Sequence, residues 1–297
     1  MMNDKNQTHY SKNKDILIYI DGELFKRNDA KISVYDSGFL MGDGIWEGLR
    51  LVNGSWIFLN EHIDRLFEGL KAIDINLNKS KQEIIDALEK TRLANGMHDN
   101  AHARLMITRG EKIKPFQQPN LSIKGPSIVI IMEHSDDAKP TEGITLATVP
   151  QVRGLPMSQD PKLNSHSKLN CILACIQAKK NGADEALMLD PLGFVNTTNS
   201  CNFFIVKNNE VWTSSGDYCM NGITRKKVID ICKNNNIKVY EKNFSLVDVY
   251  SADEAFITGT LGSLRHVINI DGRQIGDGVN PGSMNIKLKE LYLNLHQ

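Results

Sequence analysis

The sequence predicts two lobes of mixed helices and strands, of the α/β or α+β class. Hydrophobic patterns of strand and helix spacing alternate along the 297 residues, and this length is sufficient for two cores. The stretch 133–141 (EHSDDAKPT) is polar and contains Pro140, which is typical of a linker. We therefore expect a polar tail at 1–15, an N-terminal domain at 16–133, a linker at 134–144 and a C-terminal domain at 145–297.

The N-terminal domain is expected to contain four strands and two helices. Asn60 is the expected cap of the first helix. Ser80 and Glu83 form a predicted capping box at the start of the second helix, which ends near Asn95-Gly96. The strands are expected at 16–20, from Ile45 to the turn at Asn53-Gly54, at 103–108 and at 127–132.

The C-terminal domain is expected to alternate strands with three helices. Leu169, Ile172, Leu173 and Ile176 recur with helical spacing and mark the first helix, which stops at Asn181-Gly182. The other two helices are expected at 223–233 and 286–295, and the strands at 144–149, 185–189, 202–206, 210–213, 254–258 and 267–270.

Composition narrows the possible partners. Lys plus Arg and Asp plus Glu number 35 each, and a chain of zero formal net charge has no global field to hold a nucleic acid. No apolar run approaches the roughly 18 residues of a bilayer span, and the first 14 residues do not resemble a secretory signal. The 5 cysteines include no CxxC pair, which favours reduced thiols in a cytoplasmic protein. We predict no metal site, no membrane and no nucleic acid partner.

Three segments are candidates for binding an anion. Gly222 precedes a predicted helix whose first N–H groups are free, and Thr224 adds a hydroxyl. Gly259-Thr260-Leu261 forms a small-residue turn after an apolar strand. Arg65 shares a helix face with His62, three residues before it, and its guanidinium can bind a phosphate through two hydrogen bonds. Taken singly, each feature is also typical of an ordinary cap, loop or surface side chain.

Two lysines stand near the start of the helix at 169. Lys162 and Lys168 are candidates for Schiff-base chemistry, because burial can make a lysine amine nucleophilic. The alternative interpretation is that both lysines are simply exposed.

These features occur together in an order that resembles class IV aminotransferases, the group of branched-chain aminotransferases, D-amino-acid aminotransferases and aminodeoxychorismate lyases. The opening segment 36–50 (DSGFLMGDGIWEGLR) is similar to the first motif of that family. The resemblance covers about residues 16–292. Five further segments match the family, His62 to Arg65, Gly182 to Leu187, Asn202 to Phe204, Gly222 to Arg225 and Gly259-Thr260.

The resemblance implies a fold type IV enzyme that binds pyridoxal 5′-phosphate (PLP) between two domains and forms a homodimer. It implies a smaller N-terminal α/β domain and a larger C-terminal domain with a mixed sheet and a barrel-like core. Glu47-Gly48 looks more like the branched-chain enzymes. Lys114-Pro115-Phe116 stands where D-amino-acid enzymes carry Arg-x-His, which disfavours that subgroup.

The resemblance also implies roles for single residues. By position, Arg65, Ile223, Thr224 and Thr260 look like the phosphate-binding residues. Arg104 matches the arginine that helps hold the substrate carboxylate, and His102 replaces the family's tyrosine beside it. The substrate-binding residues implied are Arg104, His102, Trp46 and Leu261.

Two positions depart from the family pattern. The usual Schiff-base lysine falls on or next to Asn164, so we expect the role to have moved to Lys168, with Lys162 as the alternative. Thr197 stands where the family has a glutamate that keeps the pyridine nitrogen protonated. A threonine hydroxyl is neutral and cannot do this, although it can donate a hydrogen bond to an unprotonated nitrogen.

The function implied is PLP-dependent transfer of an amino group between a branched-chain-like amino acid and a 2-oxo acid. One alternative is a PLP-dependent lyase, eliminase or racemase on the same fold, similar to aminodeoxychorismate lyase. Thr197 motivates this alternative, because PLP beside a neutral hydroxyl would be a weaker electron sink than PLP beside a carboxylate. Another alternative is a non-catalytic relative that keeps only the phosphate pocket.

Overall fold

The computed structural model describes residues 4–135 and 142–296, and side chains from residue 7 onward. The chain divides into two compact units, Met1–Ala138 with Asn164–Ser167, and Lys139–Leu163 with Lys168–Gln297. Residues 136–141 of the expected linker lie outside the described residues, and the expected domain bounds stay a prediction.

The first unit is built on one antiparallel sheet. Within residues 4–135 its six strands are β1 Leu17–Ile20, β2 Glu23–Lys26, β3 Gly44–Val52, β4 Ser55–Trp56, β5 Ala101–Thr108 and β6 Ser127–His134. They lie in the order β2-β1-β6-β5-β3-β4. The helices are α1 Asp4–Lys12, α2 Ser37–Met41, α3 Leu59–Ala72 and α4 Lys81–Ala94, with a 3₁₀ turn at Pro119–Leu121.

The sheet has one face in the core and one that is partly open. Burial alternates along β3 and β5, as expected for strands with period 2. Helix α3 packs closely against β3, because Gly69 lies so near Ile45 that an added Cβ would be 3.1 Å from Ile45 Cγ2. This close approach brings the side chains of α3 onto the buried face of β3.

Of the two predicted helix starts in the first unit, one is wrong and one is confirmed. The expected cap Asn60 is wrong: the N-cap of α3 is Phe58, in the left-handed region at φ 53°, and it makes no side-chain cap hydrogen bond. The chain turns at Phe58 just after β4, so Asn60 already lies within the first helical turn. The expected capping box of Ser80 and Glu83 is confirmed.

The expected polar tail contains a helix. After α1, the side chain of Asn13 is buried and binds the backbone of His134 twice. Its Nδ2 donates to the His134 carbonyl at 3.1 Å, and its Oδ1 accepts from the His134 N–H at 2.7 Å. The end of the tail is therefore attached to β6.

The second unit carries the larger sheet. Among the described residues its strands are β7 Ile144–Thr148, β8 Glu185–Leu189, β9 Val195–Thr198, β10 Asn202–Lys207, β11 Glu210–Thr213, β12 Val239–Glu241, β13 Glu254–Gly259, β14 Ser263–Ile270 and β15 Arg273–Gln274. They lie in the order β12-β11-β10-β13-β14-β7-β8-β9, with β15 on β14. The helices are α5 Pro156–Gln159, α6 Leu169–Lys180, α7 Ile223–Asn234, α8 Leu246–Tyr250 and α9 Ser283–Leu293, with a final 3₁₀ turn at Asn294–His296.

The sheet of the second unit closes on itself. Strand β9 pairs with β8 on one side and, at Thr197 opposite Asn202, with β10 on the other. The strands β7–β8 and β7–β14 are parallel, so the closed ring is mixed. The apolar residues inside it include Ile144, Phe203, Ile257 and Val267. The sequence did not identify β9, which is short and polar.

Helix α6 forms where its apolar spacing predicts, but the apolar stripe is not its buried face. Ala174 and Ala178 pack against β7 and β8, because small side chains allow the helix to approach the sheet. The stripe residues Leu169, Ile172, Leu173 and Ile176 are exposed. An exposed apolar stripe of this kind is typical of a surface that another protein covers.

In the described parts of the chain no helix combines the length and hydrophobicity needed to cross a bilayer.

Candidate functional site

A buried carboxylate holds the predicted phosphate-binding arginine in the first unit. Glu47 points from β3 into the core and is fully buried. Arg65, from α3, donates to it twice, through Nε to Oε1 and through Nη2 to Oε2, each at 2.7 Å. His62 Nδ1 donates to Oε2, also at 2.7 Å. Burial by itself raises the pKa of Glu47, but the hydrogen bonds and charges of Arg65 and His62 outweigh it and lower that pKa overall.

Arg65 retains one nitrogen for a further acceptor. Its Nη1 is buried and has no hydrogen-bond partner among the described residues. A guanidinium donor left in this state is costly, and an anionic oxygen satisfies it well. This nitrogen therefore fits the phosphate role that the sequence predicts for Arg65.

Trp46, His102 and Arg104 share the open face of the first sheet. In the β3–β5 pairing, Gly48 lies opposite Arg104 and Arg50 opposite His102. The Arg104 guanidinium carbon lies 3.8 Å from the centroid of the Trp46 ring, a cation–π contact. No carboxylate in the described part of the chain forms an ion pair with Arg104, so its charge is available to a carboxylate ligand.

His102 is neutral at physiological pH. Burial is the main cause that lowers its pKa to about 4, and the charges of Arg104 and His62 act in the same direction against the opposing charge of Glu133. Gly48 leaves room for the imidazole, since a Cβ at residue 48 would lie 3.1 Å from His102 Nε2. His102 therefore provides hydrogen-bonding nitrogens, without charge, beside the Arg104 cation.

Asn164 is bound to β3 at the position where the family lysine was expected. Its Nδ2 donates to the Trp46 carbonyl at 2.6 Å, and its own carbonyl accepts from the Trp46 N–H at 3.0 Å. His166 N–H and Gly44 carbonyl continue this pairing at 2.9 Å. The Oδ1 of Asn164 is buried without a partner among the described residues. Residue 164 therefore holds a short strap of chain against β3 and has no amine for covalent chemistry.

In the second unit, the start of α7 forms a candidate anion site. Gly222 is the N-cap and makes no side-chain cap hydrogen bond, so the N–H groups of Ile223 and Thr224 are not capped. A Cβ at residue 222 would lie 2.3 Å from the Oδ1 of Asn202, which is why glycine is needed there. The Thr224 side chain is buried, and its Oγ1 lies 3.4 Å from the hydroxyl of Tyr292.

Thr260 and Leu261 lie in the turn that joins β13 to β14, where Gly259 pairs with Ser263. Leu261 is exposed. Close behind this turn, Thr258 Oγ1 is buried and has no hydrogen-bond partner within the described residues. The turn thus places small and polar groups at the end of a buried strand, as the sequence suggests.

The hydroxyl of Thr197 already has an acceptor. Thr197 lies in β9 and donates through Oγ1 to the Cys201 carbonyl at 2.6 Å. This arrangement leaves the lone pairs of Oγ1, and not its proton, for another group. The neighbouring Asn196 has a buried Oδ1 with no partner in the described part of the chain.

The two candidate lysines differ in environment. Lys168 is the N-cap residue of α6 and is partly buried, whereas Lys162 is exposed on the preceding loop. The backbone N–H of Lys162 donates to Asp160 Oδ1 at 2.9 Å. The assignment of the catalytic lysine stays a prediction.

Within the first unit, Arg65 lies with His62 and Glu47, and Trp46, His102 and Arg104 share one sheet face. Glu47 is a residue of this site that was not predicted from the sequence. A signal was available, because Glu47 is a charged residue at a buried position of β3, in register with the apolar Ile45, Leu49 and Leu51.

Comparison with known proteins identifies the family. The class IV aminotransferase family matches residues 44–270, and the chain belongs to that family. The predicted family and the predicted fold with a barrel-like core are thus confirmed.

Two curated relatives are similar over nearly the whole chain. The branched-chain-amino-acid aminotransferase-like protein 2 of Arabidopsis thaliana is 38% identical over 96% of this chain, which spans 51% of that protein's length. The putative branched-chain-amino-acid aminotransferase of Methanocaldococcus jannaschii is 39% identical over 94% of this chain and 96% of its own.

Solved structures of branched-chain aminotransferases have the same fold. The enzyme of the thermophilic archaeon Thermoproteus uzoniensis, crystallised with norvaline, superposes with a TM-score of 0.84 at 29% identity, over 94% of each chain. Another similar branched-chain amino acid aminotransferase was solved in complex with N-(5′-phosphopyridoxyl)-L-glutamate. The solved relatives thus include a protein that binds a compound derived from the predicted cofactor.

Proposed function

We propose that this chain is a PLP-dependent aminotransferase that moves an amino group between a branched-chain-like amino acid and a 2-oxo acid. Its family membership and the names of its relatives support this function. The observation that carries the proposal is the pair Glu47 and Arg65, which leaves one buried guanidinium nitrogen without a partner among the described residues. A phosphate oxygen is the kind of acceptor that this nitrogen fits.

The cofactor residues are proposed separately for each unit. In the first unit Arg65 would bind the phosphate group. In the second unit the N–H groups of Ile223 and Thr224 and the hydroxyl of Thr260 would bind it, as the N-terminus of a helix binds anions. When bound, PLP supplies an electron sink for bonds at the substrate Cα.

Lys168 is proposed to supply the amine that holds the cofactor. A lysine Nζ can then accept and return a proton as a general base and acid. Asn164 cannot take this role, because its amide is bound to Trp46 and has no nucleophilic nitrogen. Lys162 is the alternative.

Arg104 is proposed to orient the substrate carboxylate through its charge. Trp46, stacked on the guanidinium, would limit its movement. His102 would add a neutral hydrogen-bonding group. In the second unit, Leu261 is proposed as a further substrate-binding residue.

The first test is reconstitution with PLP followed by borohydride reduction and peptide mass mapping. We expect visible absorption typical of a lysine-bound cofactor and a phosphopyridoxyl adduct on Lys168. An adduct on Lys162 would keep the enzyme and correct the residue. Amino transfer is then assayed with leucine, isoleucine or valine and 2-oxoglutarate. No adduct and no transfer with any pair would overturn the proposal and favour a non-catalytic phosphate-binding relative.

A second candidate function is a PLP-dependent lyase, elimination or racemisation reaction. Thr197 favours it, because it places a neutral hydroxyl where the family has a carboxylate. Pyruvate and ammonia formed from serine without a 2-oxo acid, or exchange of the Cα configuration, would support this function over transamination.

We further propose that the protein acts as a cytoplasmic homodimer. The exposed apolar stripe of α6, at Leu169, Ile172, Leu173 and Ile176, supports a second copy as the partner. The free cysteines of the chain are consistent with a reducing compartment.

A further inference from the structure

We propose that Glu47 is a positioning residue for cofactor binding, which aligns Arg65 so that only Nη1 is offered to a phosphate group. This inference rests on the proposed function. It concerns residues of the first unit alone.

The first observation is that the buried position of the Glu47 carboxylate is energetically unfavourable. Glu47 is fully buried on β3, between Ile45 and Leu49, which face the same core. An ionised carboxylate at such a position is unfavourable unless it is paired and hydrogen-bonded. An apolar side chain would satisfy the packing of β3 as well, so packing alone does not explain a glutamate here.

The second observation is that Glu47 binds two of the three guanidinium nitrogens of Arg65 and leaves the third. The guanidinium is planar and rigid, so two hydrogen bonds to one carboxylate define its plane. Nε and Nη2 both bind Glu47 at 2.7 Å. The direction of the third nitrogen, Nη1, is then fixed, and it is the one without a partner among the described residues.

The third observation is that the carboxylate itself is held in place. His62 Nδ1 donates to Glu47 Oε2 at 2.7 Å, and His62 is buried. His62 and Arg65 are three residues apart on α3, so both reach β3 from the same helix face. Helix α3, strand β3 and the three side chains therefore form one preorganised arrangement.

The direction in which Glu47→Gln changes phosphate affinity distinguishes positioning of Arg65 from a simple effect of charge. An ionised Glu47 offsets part of the positive charge of Arg65. If charge alone governed phosphate binding, replacing Glu47 by neutral Gln would strengthen it. If orientation governs, Gln weakens it, because an amide NH2 group replaces one of the two acceptor oxygens, so the separate bonds of Nε to Oε1 and of Nη2 to Oε2 cannot both form.

The test compares PLP with pyridoxal, which lacks the phosphate. Dissociation constants of both are measured for the purified full-length apoprotein by tryptophan fluorescence, for the wild type and Glu47→Gln. We expect the variant to bind PLP about 10- to 100-fold more weakly, the loss of a well-oriented charged hydrogen bond. We expect its affinity for pyridoxal to change by less than about threefold, since pyridoxal has no phosphate to contact.

Glu89→Gln is the matched control. Glu89 also receives two hydrogen bonds from one arginine, Arg92, but it lies on α4 and outside the site. We expect it to change neither dissociation constant. The double variant Glu47→Gln/Arg65→Lys should bind PLP no more weakly than Arg65→Lys alone, because Glu47 acts through Arg65.

Three results would overturn the inference. They are tighter or unchanged PLP binding by Glu47→Gln, an equal loss for PLP and pyridoxal, and an additive effect in the double variant. If Glu47→Gln does not fold, His62→Leu removes the third donor and should reduce PLP binding selectively. A wild-type protein that does not distinguish PLP from pyridoxal would instead contradict the proposed function itself.

Discussion

Single polar residues at buried or half-buried positions define the candidate site of the first unit. Glu47 binds Arg65 and His62, Asn164 binds the backbone of Trp46, and His102 leans over Gly48. Burial makes each position sensitive, because a polar group withdrawn from water needs its partners.

Lys168→Ala is expected to abolish the reducible PLP adduct and to lower amino transfer by at least about 1,000-fold, since no amine would remain to hold the cofactor. Adduct mapping and steady-state kinetics check this. Lys162→Ala is the control and should keep both. An intact adduct in Lys168→Ala would assign the role to another residue.

His102 is expected to make stability depend on acid. Its pKa falls from the ordinary 6.5 to about 4 in the folded chain, so the unfolded chain binds more protons between these values. The stabilisation is complete above pH 6.5 and is lost as the pH falls towards 4. Between pH 7 and pH 4, urea unfolding should show the wild type losing up to about 3 kcal/mol more than His102→Gln. Equal losses in the two proteins would contradict this, and exposed His98→Gln is the control.

At the scale of elements, several of the proposed cofactor-binding residues lie where strands and helices begin or end. Helix α7 begins directly after Gly222, and the β13–β14 turn carries Thr260. The close approach of α3 to β3 depends on Gly69. These junctions are set by local geometry that tolerates little added volume.

Gly222→Ala is expected to weaken PLP binding by roughly tenfold or more. The new Cβ would lie 2.3 Å from the Oδ1 of Asn202, whose Nδ2 is bound to the Met220 carbonyl at 2.9 Å. The start of α7 must therefore shift, and the N–H groups of Ile223 and Thr224 shift with it. Fluorescence titration measures the change.

Gly154→Ala serves as the control for that variant. Its added Cβ would meet only the Gln159 carbonyl oxygen at 3.4 Å, an ordinary contact. Equal PLP affinity in Gly222→Ala and Gly154→Ala would show that the α7 start does not bind the phosphate.

At the scale of the whole molecule, the proposed assembly depends on one helix face. Helix α6 uses its alanines inward and leaves a row of leucine and isoleucine side chains exposed. Such a row is unfavourable in water and becomes favourable when a partner covers it.

Ile176→Asp is expected to convert the proposed dimer into a monomer, because a charge would be buried in an apolar contact. Size-exclusion chromatography with light scattering should show the molar mass falling by half. Lys180→Asp, on the exposed end of the same helix, is the control. A wild-type monomer, or a dimer that survives Ile176→Asp, would exclude this face as the interface.

The sequence by itself determined the family, the order of most elements and the candidate phosphate residues. Capping boxes, glycine turns and hydrophobic spacing are local properties of the backbone, so Ser80 with Glu83, Gly222 and the strand around Ala103 to Thr108 were predictable. Asn60 as a cap was wrong, since the turn at Phe58 sets where α3 begins.

Only the tertiary structure decided which side chains meet. Glu47 and Arg65 are 18 residues apart and bind because α3 turns that face towards β3. Burial of Ala174 and Ala178, and not of the apolar stripe of α6, depended on which face fits the sheet. The closure of the barrel depended on the short strand β9. Spacing along a chain specifies faces, but contact between faces is set by packing in three dimensions.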